Sequence, residues 1–227
     1  MSSVTSEEQA PLEAMYTLQL IGFSAGAVGC ILLPITVHHS DWRLWSIQKS
    51  SYYVDGVTRL GIWKICFPPK AMEADKYKLH CCHDFDLFEK FFPIEMKLGQ
   101  ISMFIGSLLA FWGLLFAFLI PWNSFFQKHI QTRWLAFIGG TFFVISSFCV
   151  FVPISWTVCS VFKNESITFP PSFHLPSRPF VQNIGGAVYL GYMSGILLFV
   201  SGLSIIFQVV LMKKMSITFR SNRISSV

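Results

Sequence analysis

The residues best equipped for chemistry stand close together. His80-Cys81-Cys82-His83 is contiguous, and Cys66 precedes it with 14 or 15 residues between the thiols. Three chemistries are open to such a set. A zinc ion would take four ligands, usually from separated pairs such as C-x₂₋₄-C. A redox pair usually has the spacing C-x-x-C. One of the adjacent cysteines could also bond to Cys66, if the stretch faces an oxidising compartment. The choice depends on the side of the membrane, if any, on which the stretch lies.

The chain is 53% hydrophobic and 13% charged, with a mean hydropathy of +0.54. Soluble domains carry about 25% charged residues, so half the usual charge is missing. What charge there is falls in blocks. Residues 15–37, 98–127, 134–162 and 181–212 contain no Asp, Glu, Lys or Arg. Crossing a bilayer takes about 20 apolar residues as a helix, and all four stretches exceed that. They are apolar throughout rather than alternating, which argues against barrel strands and against the polar stripe of a soluble helix. The expected architecture is an integral membrane protein, a left-handed four-transmembrane-helix bundle with spans at 15–37, 98–120, 134–158 and 184–212. Glu7, Glu8 and Glu13 stand before the first span where a signal peptide would be basic, and the span is too long for a signal core, so it reads as retained. Intramembrane enzymes and transport paths show ionisable residues inside their spans, and these spans have none.

Lys213, Lys214, Arg220 and Arg223 crowd the tail, 213–227, and Lys128 and Arg133 the short connection, 121–133. Basic residues near span ends mark the cytoplasmic side. The N-terminal segment, 1–14, and the tail are therefore expected inside, with 38–97 and 159–183 outside. The triplet Asn164-Glu165-Ser166 is a glycosylation sequon, usable only on the lumenal side. The first outer segment is expected to be a small antiparallel β-sheet cap. It is rich in strand formers, and Asp55-Gly56 is a hairpin cue. Residues 86–98 are amphipathic and suit a short helix along the membrane surface. Trp42, Trp45 and Trp63 fit the interfacial preference of indoles. The second outer segment is rich in proline, and its aromatic residues either form an adhesive tip or pack against the cap. Gly22, Ala25, Gly26 and Gly29 in the first span, and Gly185, Gly186, Gly191, Gly195 and Gly202 in the fourth, offer small faces for close helix packing. Cys30 and Cys149 read as buried small hydrophobes, and 1–14 as a polar, acidic leader without fixed structure.

Several of these residues, in order, resemble the claudin family. They are Trp42, then Gly61-Ile62-Trp63, then Cys66 and Cys81 or Cys82. The third span adds Arg133, Gly139-Gly140 and Ser155-Trp156. "GGAVYLGY" at 185–192, with Gly185 and Gly191, and "LQLIGFSAGAVG" at 18–29 are similar to the family's fourth and first helices. The chain departs from the pattern in three ways. Its cysteines are further apart than is usual, Lys97 or Gln100 stands where an Arg is usual, and no cysteine lies in the inner connection or tail.

The resemblance implies a disulfide from Cys66 to Cys82, or to Cys81 instead, with the remaining cysteine free or paired with Cys159. Zinc is disfavoured by the contiguity of His80-Cys81-Cys82-His83, and redox chemistry by the lack of C-x-x-C. It also implies that Trp42, Gly61 and Trp63 seat the cap and that Phe169 and its loop make outer contacts. The implied role is a tight-junction protein of the plasma membrane, with cell–cell adhesion and control of paracellular permeability. Its partners would be other claudins in cis and in trans. Ser225 and Val227 suit a PDZ scaffold, and the basic tail suits membrane lipids. No catalytic residue, cofactor, metal or nucleic-acid partner is expected. Two other readings are an accessory subunit of a channel or receptor, and a membrane enzyme or metal-binding protein using the His80-Cys81-Cys82-His83 cluster.

Overall fold

The long apolar runs become four helices in the computed structural model, which describes residues 6–47, 56–68, 82–86, 91–125, 129–175 and 180–225. These are α1 (Ser6–His38), α2 (Ile94–Phe125), α3 (His129–Phe162) and α4 (Gly186–Ser225). Within them Glu13–His38, Ile94–Leu119, Arg133–Phe162 and Gly186–Lys214 are long and apolar enough to cross a membrane. The outward faces are apolar as well, with Leu20, Phe104, Phe118, Phe148 and Phe207 exposed. Side chains like these on helices of this length suit lipid, not water.

All four helices start away from the expected span boundaries, α3 at His129 within the connection expected at 121–133. Helix α1 begins at Ser6 and so takes in much of the leader, as expected when a helix, once nucleated, propagates cheaply. The surface helix expected at 86–98 is not a separate element. Its second half is the first turn of α2, whose Met96 and Lys97 amides donate to Pro93 O at 3.1 and 3.3 Å. Proline is tolerated at a helix start and keeps the residue before it out of the α region. Phe91 and Phe92 therefore lie outside the helix, and residues 87–90 lie outside the described set.

Five strands form one antiparallel sheet in the order β4-β3-β2-β1-β5. They are β1 (Arg43–Ile47), β2 (Gly56–Leu60), β3 (Lys64–Cys66), β4 (Cys82–Asp84) and β5 (Val181–Ile184). Gly56 is already paired with Ile47, so Asp55-Gly56 is not a two-residue hairpin loop, and the connection at 48–55 lies outside the described residues. Strand β5 comes from just before α4 and pairs with β1, which moves the start of α4 from 184 to Gly186.

The chain divides into two compact units. One holds Met1–Ile31, Gly106–Phe148 and Ser194–Val227 and is helical throughout its described residues. Its helices approach through small residues: a Cβ on Gly140 would lie 3.0 Å from Gly202 O, and one on Gly26 2.7 Å from Ser201 Oγ. Serines cross-link it. Ser146 donates to Gly106 O at 2.7 Å, Ser194 to Gly29 O at 3.0 Å and Ser201 to Gly22 O at 2.6 Å.

The other unit, Leu32–Ile105 with Cys149–Met193, carries the sheet. Its core joins Trp45, Leu60, Ile65, Phe67, Phe85, Phe92, Met96 and Ile167. Pro153 lies inside α3 and has no N–H to offer the Cys149 carbonyl, but Ser102 Oγ donates to that carbonyl at 2.7 Å. A polar group freed within a span thus gains a partner.

Candidate functional site

Strand alternation decides what the sheet shows and what it hides. In β1 the side chains of Arg43, Trp45 and Ile47 are buried while Leu44 and Ser46 are only half-buried. Register carries that division across β5, β1 and β2, but not to the far edge, where Cys66 of β3 is buried and all of β4 is exposed. One row runs Asn183, Leu44, Arg59, Cys66 and Cys82, and the next runs Ile184, Arg43, Leu60, Ile65 and His83. Asn183 and Arg59 in the first row are exposed, so this face presents the sheet to its surroundings. Here Arg59 Nε also stands 3.7 Å from Oδ1 of the half-buried Asp41, a partly exposed ion pair of little energetic weight.

The Cys66–Cys82 disulfide joins β3 to β4 between directly opposed residues. Cys81 and His80 lie outside the described residues. The bond removes Cys82 from any set of metal ligands, and the His83 ring packs edge-on to Phe173 at 5.3 Å. Among the described residues no group of three or more His, Cys, Asp or Glu is placed to hold a metal. Cys30, Cys149 and Cys159 are free thiols, Cys159 being exposed.

The family-motif residues gather where the sheet meets its helices. The Trp42 indole is buried, and its Nε1 donates to Thr36 O in the last turns of α1 at 3.0 Å. Gly61 turns the chain between β2 and β3, its N–H donating to Lys64 O at 2.8 Å. A Cβ there would sit 2.7 Å from His39 O, so only glycine allows that approach. Gly185 is the counterpart before α4. Its N–H donates to Trp42 O at 3.1 Å, and an added Cβ would collide with the Asp41 backbone. Trp63 is half-buried, and its carbonyl accepts from the Phe85 N–H at 2.8 Å. A Cβ on Gly191 would strike Ile154.

The rest of the motif lies elsewhere. Trp156 is exposed on α3, while its neighbour Ser155 hydrogen-bonds Tyr192 at 3.1 Å. Gly139, Gly140 and Arg133 belong to the helical unit, where Arg133 Nη2 donates to Met212 O at 3.3 Å. Ser225 ends α4, and Val227 lies outside the described residues.

Phe169 is half-buried, its ring edge-on to Trp45 at 5.1 Å and near Phe91 and Phe173. Of the two fates open to the aromatics of the second outer segment, packing is the one this ring adopts. Asn164 is exposed with φ 53°, at the C-terminus of α3.

Sequence reasoning missed a buried strut beside the motif. Arg43, fully buried, donates through Nη2 to Glu95 Oε1 at 2.9 Å. Ser160 Oγ lies 2.9 Å from Glu95 Oε1 and 2.8 Å from Glu165 Oε2. The chain from Arg43 to Glu165 thus links β1, the first turn of α2 and the end of α3. Burial pulls the Arg43 guanidinium below its ordinary range, and the hydrogen bond and charge of Glu95, with the charge of Glu165, push it back up. Nearby, Gln100 Nε2 donates to Ile62 O at 2.8 Å, gripping the middle of Gly61-Ile62-Trp63 from α2. One available signal was parity, since Arg43 shares its β1 face with Trp45.

The arrangement offers no nucleophile with an adjacent base among these residues. It is a sheet whose strands β5, β1 and β2 turn one face to the interior and the other outward, tied to helices by Trp42 and Gln100. A family model described as PMP-22/EMP/MP20/Claudin tight junction matches residues 27–207, most of the chain. Claudin-2 of Bos taurus is 22% identical over 196 residues, covering 84% of this chain and 78% of the relative. Claudin-17 of Sus scrofa is 22% identical over 197 residues, covering 83% and 79%, and claudin-15 of Bos taurus 23% over 197, covering 83% and 75%. Four membrane-length helices and a small antiparallel sheet with a Cys66–Cys82 disulfide are consistent with that family's tetraspan fold. The chain belongs to the claudin family as a divergent member, a multi-pass structural protein of the tight-junction type and not an enzyme.

Proposed function

We propose that this protein mediates cell–cell adhesion and sets paracellular permeability, polymerising side by side in one membrane and meeting its counterparts head-on. The single observation that carries this reading is the sheet, tied to helices by Trp42 and Gln100, whose strands β5, β1 and β2 turn one face to the interior and the other outward. Such a face holds its geometry without a partner, as a contact or pore-lining surface must. Both termini lie in the cytoplasm, which agrees with the basic residues of the tail and with a disulfide on the opposite, oxidising side. Partners are other claudins in cis and in trans, a PDZ scaffold at Ser225 and Val227, and lipids at the basic tail. Phe169 serves the outer contact from beneath, by fixing its loop against Trp45.

Between residues 40 and 97 there are nine basic and eight acidic residues, so the sum of charge does not choose between barrier and channel. Position does, because charges lining a pore select ions.

The test is expression in fibroblasts that lack tight junctions. Enrichment at cell contacts and intramembrane strands by freeze-fracture are expected. A uniform surface distribution without strands would sink the reading in favour of an accessory subunit. In an epithelial monolayer, Arg59→Glu on the open face should then change the cation-to-anion permeability ratio.

A further inference from the structure

We propose that Asn164 carries an N-linked glycan. Asn164-Glu165-Ser166 is the only Asn-x-Ser/Thr triplet among the chain's four asparagines. Helix α3 stops on it. The Asn164 N–H donates to Val161 O at 3.0 Å and the Glu165 N–H to Ser160 O at 3.1 Å, with Asn164 at φ 53°. That is a Schellman closure, with the left-handed position that favours Gly or Asn. All three sequon residues are exposed, and among the described residues nothing hydrogen-bonds the Asn164 side-chain amide or the Ser166 hydroxyl.

Exposure would mean nothing on the cytoplasmic side, and the fold ties the sequon to whichever side the sheet occupies. Glu165, the middle residue of the triplet, approaches Ser160, Ser160 approaches Glu95, and Glu95 holds Arg43 of β1. The same sheet carries the Cys66–Cys82 disulfide. The sequon is thereby tied to the part of the molecule that must mature in an oxidising lumen, which is also where oligosaccharide is transferred to asparagine. The inference rests on the outward placement of the sheet proposed above.

In the reaction the Asn164 side-chain amide nitrogen attacks the anomeric carbon of a lipid-diphosphate-linked oligosaccharide. A carbon–nitrogen bond forms, the carbon–oxygen bond to the diphosphate breaks, the amide nitrogen loses a proton, and the lipid diphosphate leaves with the electron pair. The donor is the lipid-linked sugar of the endoplasmic reticulum, used by its resident transferase. The glycan would leave the molecule at the exit of α3, on a loop whose Phe169 ring is turned inward.

The full chain, expressed in epithelial cells, should run one discrete step faster after digestion with peptide-N-glycosidase F. Asn164→Gly, which keeps the left-handed position comfortable, and Ser166→Ala should each abolish the step, while Ser166→Thr should keep it. Blocked alkylation of Cys66 and Cys82 and an antibody tag in 159–183 report folding and sidedness in the same cells. A chain with the disulfide formed and the tag accessible outside, yet with no mobility step, overturns the glycan and leaves the orientation standing. A tag accessible only after permeabilisation overturns both.

Discussion

The sheet-bearing unit and the helical unit are held together by different means. In the first, a fully buried arginine meets a carboxylate, a disulfide crosses two strands, and Trp45, Phe85, Phe91, Phe92, Phe169 and Phe173 pack edge to face. In the second, glycines let backbones touch and serines donate to carbonyls one helix away. The contrast follows from the two solvents. Water expels aromatic surface and sets a high penalty on an unpaired buried charge. Lipid is as apolar as the helix interior, so burying apolar side chains there gains little, and close packing and hydrogen bonds remain. The anchoring of the sheet should therefore fail through charge and covalent chemistry, and the helical unit through shape.

The largest effect is expected at the strut. Glu95→Ala leaves the Arg43 guanidinium buried without its carboxylate, a loss of about 3–5 kcal/mol. Thermal unfolding of the detergent-solubilised protein should show a large fall in melting temperature. Replacing both partners, Arg43→Met with Glu95→Leu, should recover most of it, because no charge is then stranded. A single variant that melts with the wild type would show that the pair does not hold the sheet.

Next comes the disulfide. Cys66→Ser should destabilise the sheet by about 3 kcal/mol for a loop of this size, read as earlier proteolysis within residues 67–81. Cys82→Ser should match it, and the double variant should be no worse than either. Reductant should reproduce the effect in the wild type. A double variant clearly worse than the singles would mean that the cysteines contribute separately.

The helical unit should respond to volume. Gly140→Val places methyls against Ile206 and the Gly202 backbone, and overpacking of this kind costs about 1–3 kcal/mol. Its response to reductant should match that of the wild type, because the disulfide is untouched, whereas the cysteine variants, which lack the bond, should not respond. Sensitivity to reductant beyond that of the wild type would blur the division drawn between the units.

The four spans and the presence of a sheet could be read from sequence because both depend on local pattern, long uncharged runs and clustered strand formers. Trp42, Gly61, Cys66 and Gly185 were legible through their order. The strut was not. Arg43 and Glu95 stand 52 positions apart, and a charge beside a span reads as a solvated flank until the fold brings its partner. Strand β5 was hidden for the same reason, since Val181–Ile184 continues smoothly into the apolar run of α4 and only pairing with β1 separates them. Asp55-Gly56 stands where the connection between the antiparallel strands β1 and β2 ends, not as a two-residue loop, because Gly56 already pairs with Ile47.

The smallest effect is the most informative about the lipid side. Ser201 donates to Gly22 O at 2.6 Å across two helices, and its hydroxyl is fully buried. In water-soluble proteins a buried hydrogen bond contributes about 0.5–1.5 kcal/mol, and a naive view holds that lipid should strengthen it. The Gly22 carbonyl, however, already accepts within its own helix, and in an unfolded but inserted chain the serine would find a partner of its own. Ser201→Ala should therefore cost about 0.6 kcal/mol, a shift near the limit of detergent melting curves. Ser201→Val, which adds bulk beside Gly26, where an added Cβ already meets Ser201 Oγ at 2.7 Å, should cost more than the loss of the bond. If the alanine variant proves the more damaging of the two, hydrogen bonding rather than fit governs the helical unit, and the contrast with the sheet-bearing unit narrows to one of degree.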